Sequence, residues 1–83
     1  MFYTYILWSE RLQKFYVGST QEIESRLAYH NAGYVKFTST GTPWILVHQE
    51  AHATRSEATK RERQIKAWKS AVAIRCLIDN QTD

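Results

Sequence analysis

One cysteine, one proline, one methionine and three glycines are all that this 83-residue chain contains of those four residue types. Each scarcity excludes something. Cys76 alone cannot form an internal disulfide, so no disulfide framework holds the fold, and a single thiol suits a reducing cytoplasm. With so little proline and glycine there is no linker or low-complexity tract, and no repeat is visible, so residues 1–83 read as one domain. No apolar run approaches the ~20 residues of a membrane span, and no signal-peptide pattern opens the chain. The expectation is a soluble, cytoplasmic protein with no membrane partner. Zinc is poorly supported: the spacing of His48 and His52 straddles a strand end without a cysteine pair, and a structural site needs four ligands.

What the chain does have is aromatic residues and a mild excess of positive charge. Three tryptophans, five tyrosines and three phenylalanines within a 43% hydrophobic composition suffice for one compact aromatic core, which argues against disorder. Eleven Lys and Arg against eight Asp and Glu leave a net charge of +3, compatible with a polyanionic partner but no proof of one.

Phe2 to Trp8 is a β-branched and aromatic run, apolar on both faces, which predicts a central strand covered on both sides. Ser9 to Lys14 is short and polar, so Phe15 to Gly18 returns antiparallel as a hairpin. A helix follows at once. Ser19 and Glu22 have capping-box spacing, with Thr20 an alternative cap; Ile23 and Leu27 form the inner face and Gly33 the stop. Arg26 and His30 lie one turn apart on that helix. Tyr34 to Thr42 reads as a hydroxyl-rich loop, and Trp44 to Val47 as a third strand extending toward Gln49. Thr54 and Glu57 predict the start of a second helix, and Trp68 to Asp79 reads as helical too, with a break near Ser70. The fold class is α+β: a small three-stranded antiparallel sheet flanked by helices, in β-β-α-β-α-α order.

The second helix holds the informative acid. Its inward stripe is Ala58, Glu62, Ile65 and then Trp68 or Val72. A carboxylate on a buried face needs a partner, and two suit Glu62: a divalent cation, or Lys66 one turn on. The pattern leaves both open, and Glu57 is already explained as a cap. Cys76, among Ile74, Leu77 and Ile78, reads as an inert core thiol. Taken singly, Tyr5 and Tyr16 are ordinary sheet aromatics, Arg26 a surface arginine and His30 a structural histidine.

Taken together these residues resemble a known family. Tyr3-Thr4-Tyr5, Tyr16-Val17-Gly18, Arg26 to Asn31, Pro43 to Val47 and Ser56 to Lys66 are similar to the GIY-YIG nuclease superfamily, and to its small free-standing members in particular. The likeness spans residues 2 to 78, with Tyr3 standing where the family's first motif carries glycine. It implies an endonuclease-like domain that hydrolyses DNA phosphodiester bonds in repair or recombination, with weak intrinsic sequence specificity. It implies Tyr16 as proton acceptor from water, Arg26 as phosphate clamp, Tyr5 and His30 as positioning or proton-transferring groups, and Glu62 as ligand to one Mg²⁺ or Mn²⁺ ion.

The chemistry asks for those types. An arginine offers a bidentate fork to phosphate oxygens, and a single carboxylate can hold magnesium while waters fill its shell. A phenol with its ordinary pKa near 10 needs positive charge nearby to act as a base, whereas His30 titrates nearer neutrality; the sequence leaves that role open between them. Lys36, Lys66 and Lys69 are the candidate contacts to a nucleic acid, most simply DNA, with a larger targeting protein as a further possible partner. The alternatives within the same fold are a catalytically inactive nucleic-acid-binding module and a protein-interaction domain.

Overall fold

The computed structural model describes residues 1–80. Strands β1 (Phe2–Ser9), β2 (Lys14–Thr20) and β3 (Trp44–His52) form one antiparallel sheet in the order β2-β1-β3. Helix α1 (Ile23–Asn31) follows the hairpin, while α2 (Arg55–Trp68) and α3 (Ala71–Asp79) follow β3. The α+β class and the element order are those the sequence implies.

β1 is central, and its alternating side chains feed two cores. Tyr5 and Leu7 join Trp44 on the face covered by α1, with Ile23, Leu27, Leu46 and Tyr16 packed against them. Ile6 joins Val17, Ile65 and Ile74 on the opposite face, under α2 and α3. Burial on both sides explains why the strand carries almost no charge.

Four local expectations are corrected. β2 does not end at Gly18, because Thr4 pairs with Ser19 and Tyr3 with Thr20, which carries the ladder two residues further. Ser19 is therefore a strand residue and caps nothing. Helix α1 begins after Glu22, whose N–H donates to Thr20 Oγ1 at 3.2 Å. β3 runs to His52, with a bulge opposite Ile6 and Leu7. That extra residue reverses the alternation of β3: Leu46 lies in the α1-side core, whereas Val47 packs on the α2 side and His48 pairs with Ile6.

The Thr54 cap is as expected, with its Oγ1 accepting from Glu57 N–H at 3.2 Å. The inner stripe of α2 holds at Ala58 and Ile65, but Trp68 and Val72 lie in solvent. Lys69 sits at φ 49° and ends α2, so α3 starts in a new direction from its Ser70 cap and inserts Ile74 instead. Cys76 is exposed, because Ile74, Leu77 and Ile78 already occupy the inward face of α3.

Candidate active site

The site is built from the α1-side face of the sheet outward. Tyr5 stands at the middle of β1 and is buried, and its hydroxyl lies 3.1 Å from His30 Nε2. It can stand there because Gly18 is its partner across the hairpin: a Cβ on Gly18 would meet Tyr5 Oη at 2.5 Å and Cζ at 2.6 Å. Burial foremost, then the neighbouring Tyr16 phenol, pushes the Tyr5 hydroxyl well above the ordinary tyrosine range; Arg26 pulls against that and Glu62 adds to it. Tyr5 therefore keeps its proton and acts as a donor.

His30 is 1% exposed, at the C-terminal end of α1. Its Nδ1 lies 2.8 Å from Thr38 Oγ1, and Thr38 gives its own hydrogen to the Val35 carbonyl at 3.3 Å. With the Thr38 proton spent there and Tyr5 donating to Nε2, the arrangement is met by the neutral imidazole carrying its hydrogen on Nδ1. Burial, and second the Arg26 guanidinium, holds the His30 pKa below the usual histidine value, in keeping with that neutral form.

The stretch read as a solvated loop is thus partly core. Thr38 is fully buried, its carbonyl accepts from Trp44 Nε1 at 2.7 Å, and Ser39–Gly41 forms one 3₁₀ turn. Asn31 adds a clamp, with Oδ1 accepting from Trp44 N–H at 2.6 Å and Nδ2 donating to the Trp44 carbonyl at 3.1 Å. Thr38 and Asn31 are the positioning residues that sequence reasoning missed. The His30-Asn31 pair beside a single Pro43-Trp44 was the only available signal.

Tyr16 lies on the edge strand β2, half-buried. Its ring meets His30 edge-on at 4.8 Å and Trp44 at 6.2 Å, which fixes the ring against the α1-side core. Its hydroxyl makes no hydrogen bond among the described residues. Lys66 reaches round the sheet edge from α2 and places its ammonium 5.9 Å from the Tyr16 ring centroid.

Glu62 points at the same edge. Its Oε1 accepts from the Ser19 hydroxyl at 2.7 Å and its Oε2 from Lys66 Nζ at 2.6 Å, leaving the side chain 19% exposed. Ser19 is three residues from Tyr16 on the same strand, so the strand that carries the tyrosine also holds the acid. Of the two partners weighed for Glu62, Lys66 is the one the structure places against it, on Oε2. A single carboxylate fits magnesium, which keeps most of its waters, and among the described residues there is no group of three His, Cys, Asp or Glu to cage an ion.

Arg26 is exposed on the outer face of α1, in an open groove with Thr20, Glu22, Ser25 and Tyr29. Its charge nonetheless reaches both Tyr5 and His30. Of the three candidate lysines, Lys66 is bonded to Glu62, Lys36 is exposed on the turn beside Phe37, and Lys69 is exposed at the end of α2. The structure brings Lys66 to the site. It places Lys69 beyond it, at the helix end.

His48 and His52 belong to a separate network, and both lie within β3 rather than across its end. His48 Nε2 meets Glu50 at 2.8 Å, Arg61 holds Glu50 at 2.9 Å, and His52 Nε2 meets Thr4 Oγ1 at 3.1 Å. Burial raises the Glu50 carboxyl, but hydrogen bonds from Arg61 and His48 outweigh it and hold its pKa below the ordinary range. The bulge in β3 turns this set toward α2, away from Tyr5.

Residues 1–75 match the family described as the GIY-YIG catalytic domain. The chain belongs to the GIY-YIG family. A GIY-YIG domain is a nuclease-type domain, and such nucleases generally use divalent metal ions. The chain is similar to the UPF0213 protein of Staphylococcus haemolyticus, 46% identical over 54 residues that cover 64% of this chain and 66% of that one. The UPF0213 protein of Haloquadratum walsbyi is 44% identical over 57 residues, 68% of this chain and 64% of its own. A Staphylococcus aureus UPF0213 protein is 36% identical over 63 residues, 75% and 77% of the two chains. This GIY-YIG chain thus spans slightly under two thirds of the first two relatives. No solved structure matches it. Among the described residues no helix is long and apolar enough to cross a membrane.

Proposed function

We propose that this GIY-YIG domain is a cytoplasmic, metal-dependent endonuclease that hydrolyses DNA phosphodiester bonds in repair or recombination, with residues 1–83 working as one domain. One observation carries the reading: the Tyr5 hydroxyl meets His30 at 3.1 Å, the Tyr16 ring stands edge-on to His30 at 4.8 Å, and Lys66, paired with Glu62 at 2.6 Å, lies 5.9 Å from the Tyr16 ring. A structural role for each alone would not require that convergence.

In this reading Arg26 holds the phosphate by its guanidinium fork, which also balances charge as the phosphorus becomes five-coordinate. A water attacks phosphorus as its proton passes to Tyr16 in its phenolate form, and the bond to the 3′ oxygen breaks, that oxygen taking a proton from solvent. Tyr16 takes this role over His30 for a geometric reason. His30 is buried and its Nε2 lone pair is occupied by Tyr5, whereas the Tyr16 hydroxyl is unbonded and has Lys66 beside its ring. Tyr5, His30 and Thr38 form a hydrogen-bonded row that holds the Tyr16 ring in place. Glu62 would hold Mg²⁺ or Mn²⁺ once Lys66 moves off Oε2. The ion's contribution there is Lewis-acid stabilisation of the leaving oxygen.

The test is incubation with labelled single-stranded, duplex and branched DNA in Mg²⁺, Mn²⁺ or EDTA, with RNA as a further arm. Cleavage that requires the ion supports the proposal. Equal binding with and without the ion, and no nicking of supercoiled plasmid, would replace it with a binding module, the reading that the Lys66–Glu62 pair favours. Tyr16→Phe is expected to lower cleavage by about 10²- to 10⁴-fold, the usual worth of a positioned base, with an unchanged melting temperature. Undiminished cleavage by that variant would move the base role to His30.

A further inference from the structure

Three aromatic side chains stand in solvent beside this site without serving either core: Phe37 is 81% exposed, Tyr34 72% and Tyr29 44%. They are not scattered. The Tyr29 and Tyr34 rings meet at 5.3 Å, Arg26 lies over Tyr29 at 5.6 Å, and Phe37 is 6.3 Å from Tyr16. The aromatic strip therefore has two halves at the end of α1 and the following turn, Tyr29–Tyr34 beside the proposed phosphate clamp and Phe37–Tyr16 at the proposed base.

The turn that carries the most exposed ring is held on both sides. Phe37 is followed by Thr38, which is pinned by its N–H to the Val35 carbonyl at 3.1 Å, by His30 at 2.8 Å and by Trp44 at 2.7 Å. Ser39 Oγ donates to the Lys36 carbonyl at 2.9 Å and closes the turn from the other side. Holding a phenylalanine in water contributes nothing to folding, and this ring belongs to neither hydrophobic cluster. Lys36 beside it and Arg26 over Tyr29 supply the positive charge that a phosphate backbone would meet.

We infer that the strip is a stacking platform for unpaired bases, so that the substrate of this domain is a single-stranded or locally unpaired stretch of nucleic acid laid along α1. The inference rests on the nuclease reading and narrows it. In a duplex the flat faces of the bases are already stacked on each other, and a protein meets edges and phosphates. An exposed ring face with a cation beside it is complementary to an unstacked base, whatever its identity. That tolerance matches the weak sequence specificity expected of so small a domain.

The experiment is fluorescence anisotropy in EDTA, where no cleavage occurs, with a labelled oligothymidylate of about 12 nucleotides and a duplex of equal length. Phe37→Ala and Tyr34→Ala are each expected to weaken single-strand binding by about 5- to 150-fold, one lost stacking contact, and to leave the duplex affinity unchanged. Phe37→Trp keeps a ring and should retain the single-strand affinity. Equal weakening on both probes, or none on either, overturns the inference. The two proposals fail separately. Ring-dependent single-strand binding by a protein that cleaves nothing in Mg²⁺ or Mn²⁺ would end the nuclease reading and keep the platform. Cleavage of both probes regardless of Phe37 would do the reverse.

Discussion

Glu62→Gln is expected to reduce metal-dependent cleavage by about a thousandfold, the several kcal/mol that a Lewis acid contributes at a phosphoryl centre. Glutamine keeps the shape, and its amide oxygen still accepts the Ser19 hydroxyl that Glu62 Oε1 accepts at 2.7 Å, so the variant should melt with the parent. Unreduced cleavage would refute the metal assignment. The companion variant is Lys66→Met, which removes the ammonium now 2.6 Å from Oε2 while keeping an apolar stem against the sheet edge. If lysine and metal compete for that oxygen, Mn²⁺ titrated into Lys66→Met by calorimetry binds more tightly than to the parent, and Glu62→Gln binds it least. Equal affinity in parent and Lys66→Met would mean that the ion, if it binds, sits elsewhere.

Gly18→Ala is expected to cost about 1–3 kcal/mol, the range for forcing an extra methyl into a packed interior. The added carbon would lie 2.5 Å from Tyr5 Oη, and the ring has nowhere to retreat, since it is 3% exposed and packed with Leu7, Trp44 and Tyr16. Either β2 moves away from β1 or Tyr5 gives up its bond to His30. For a domain of this size the melting temperature should fall by about 4–8 °C per kcal/mol. Cleavage should fall as well, measured well below the new midpoint so that unfolding does not account for it. A variant as stable and active as the parent would show that Tyr5 is not held against the Gly18 backbone.

These two sites show how differently parts of the molecule were legible. Gly18 and Tyr5 were visible as residues of two short motifs, but that one is the socket of the other depends on β1–β2 register, which joins positions 13 apart in the chain. Glu62 was visible as a carboxylate on an apolar helical stripe. Its choice between ion and lysine is not legible there, because helical spacing defines a face and not what stands opposite it. Ser19, expected as a helix cap, proved to be the strand residue that holds Glu62, because ladder pairing with Thr4 outweighed a local capping signal.

Local chemistry sufficed for what depends on near neighbours. Residue patterning identified the strands and helices, Thr54 marked a helix start, and apolar character on both faces made β1 central. Tertiary structure decided what depends on residues far apart in the chain. The bulge in β3 turned His48 and His52 away from the site, the break at Lys69 left Trp68 in solvent, and Thr38 was drawn inside by His30 and Trp44. Patterning is a property of successive side chains, whereas register and closure are set by which distant surfaces bury each other, and a linear sequence does not display that competition.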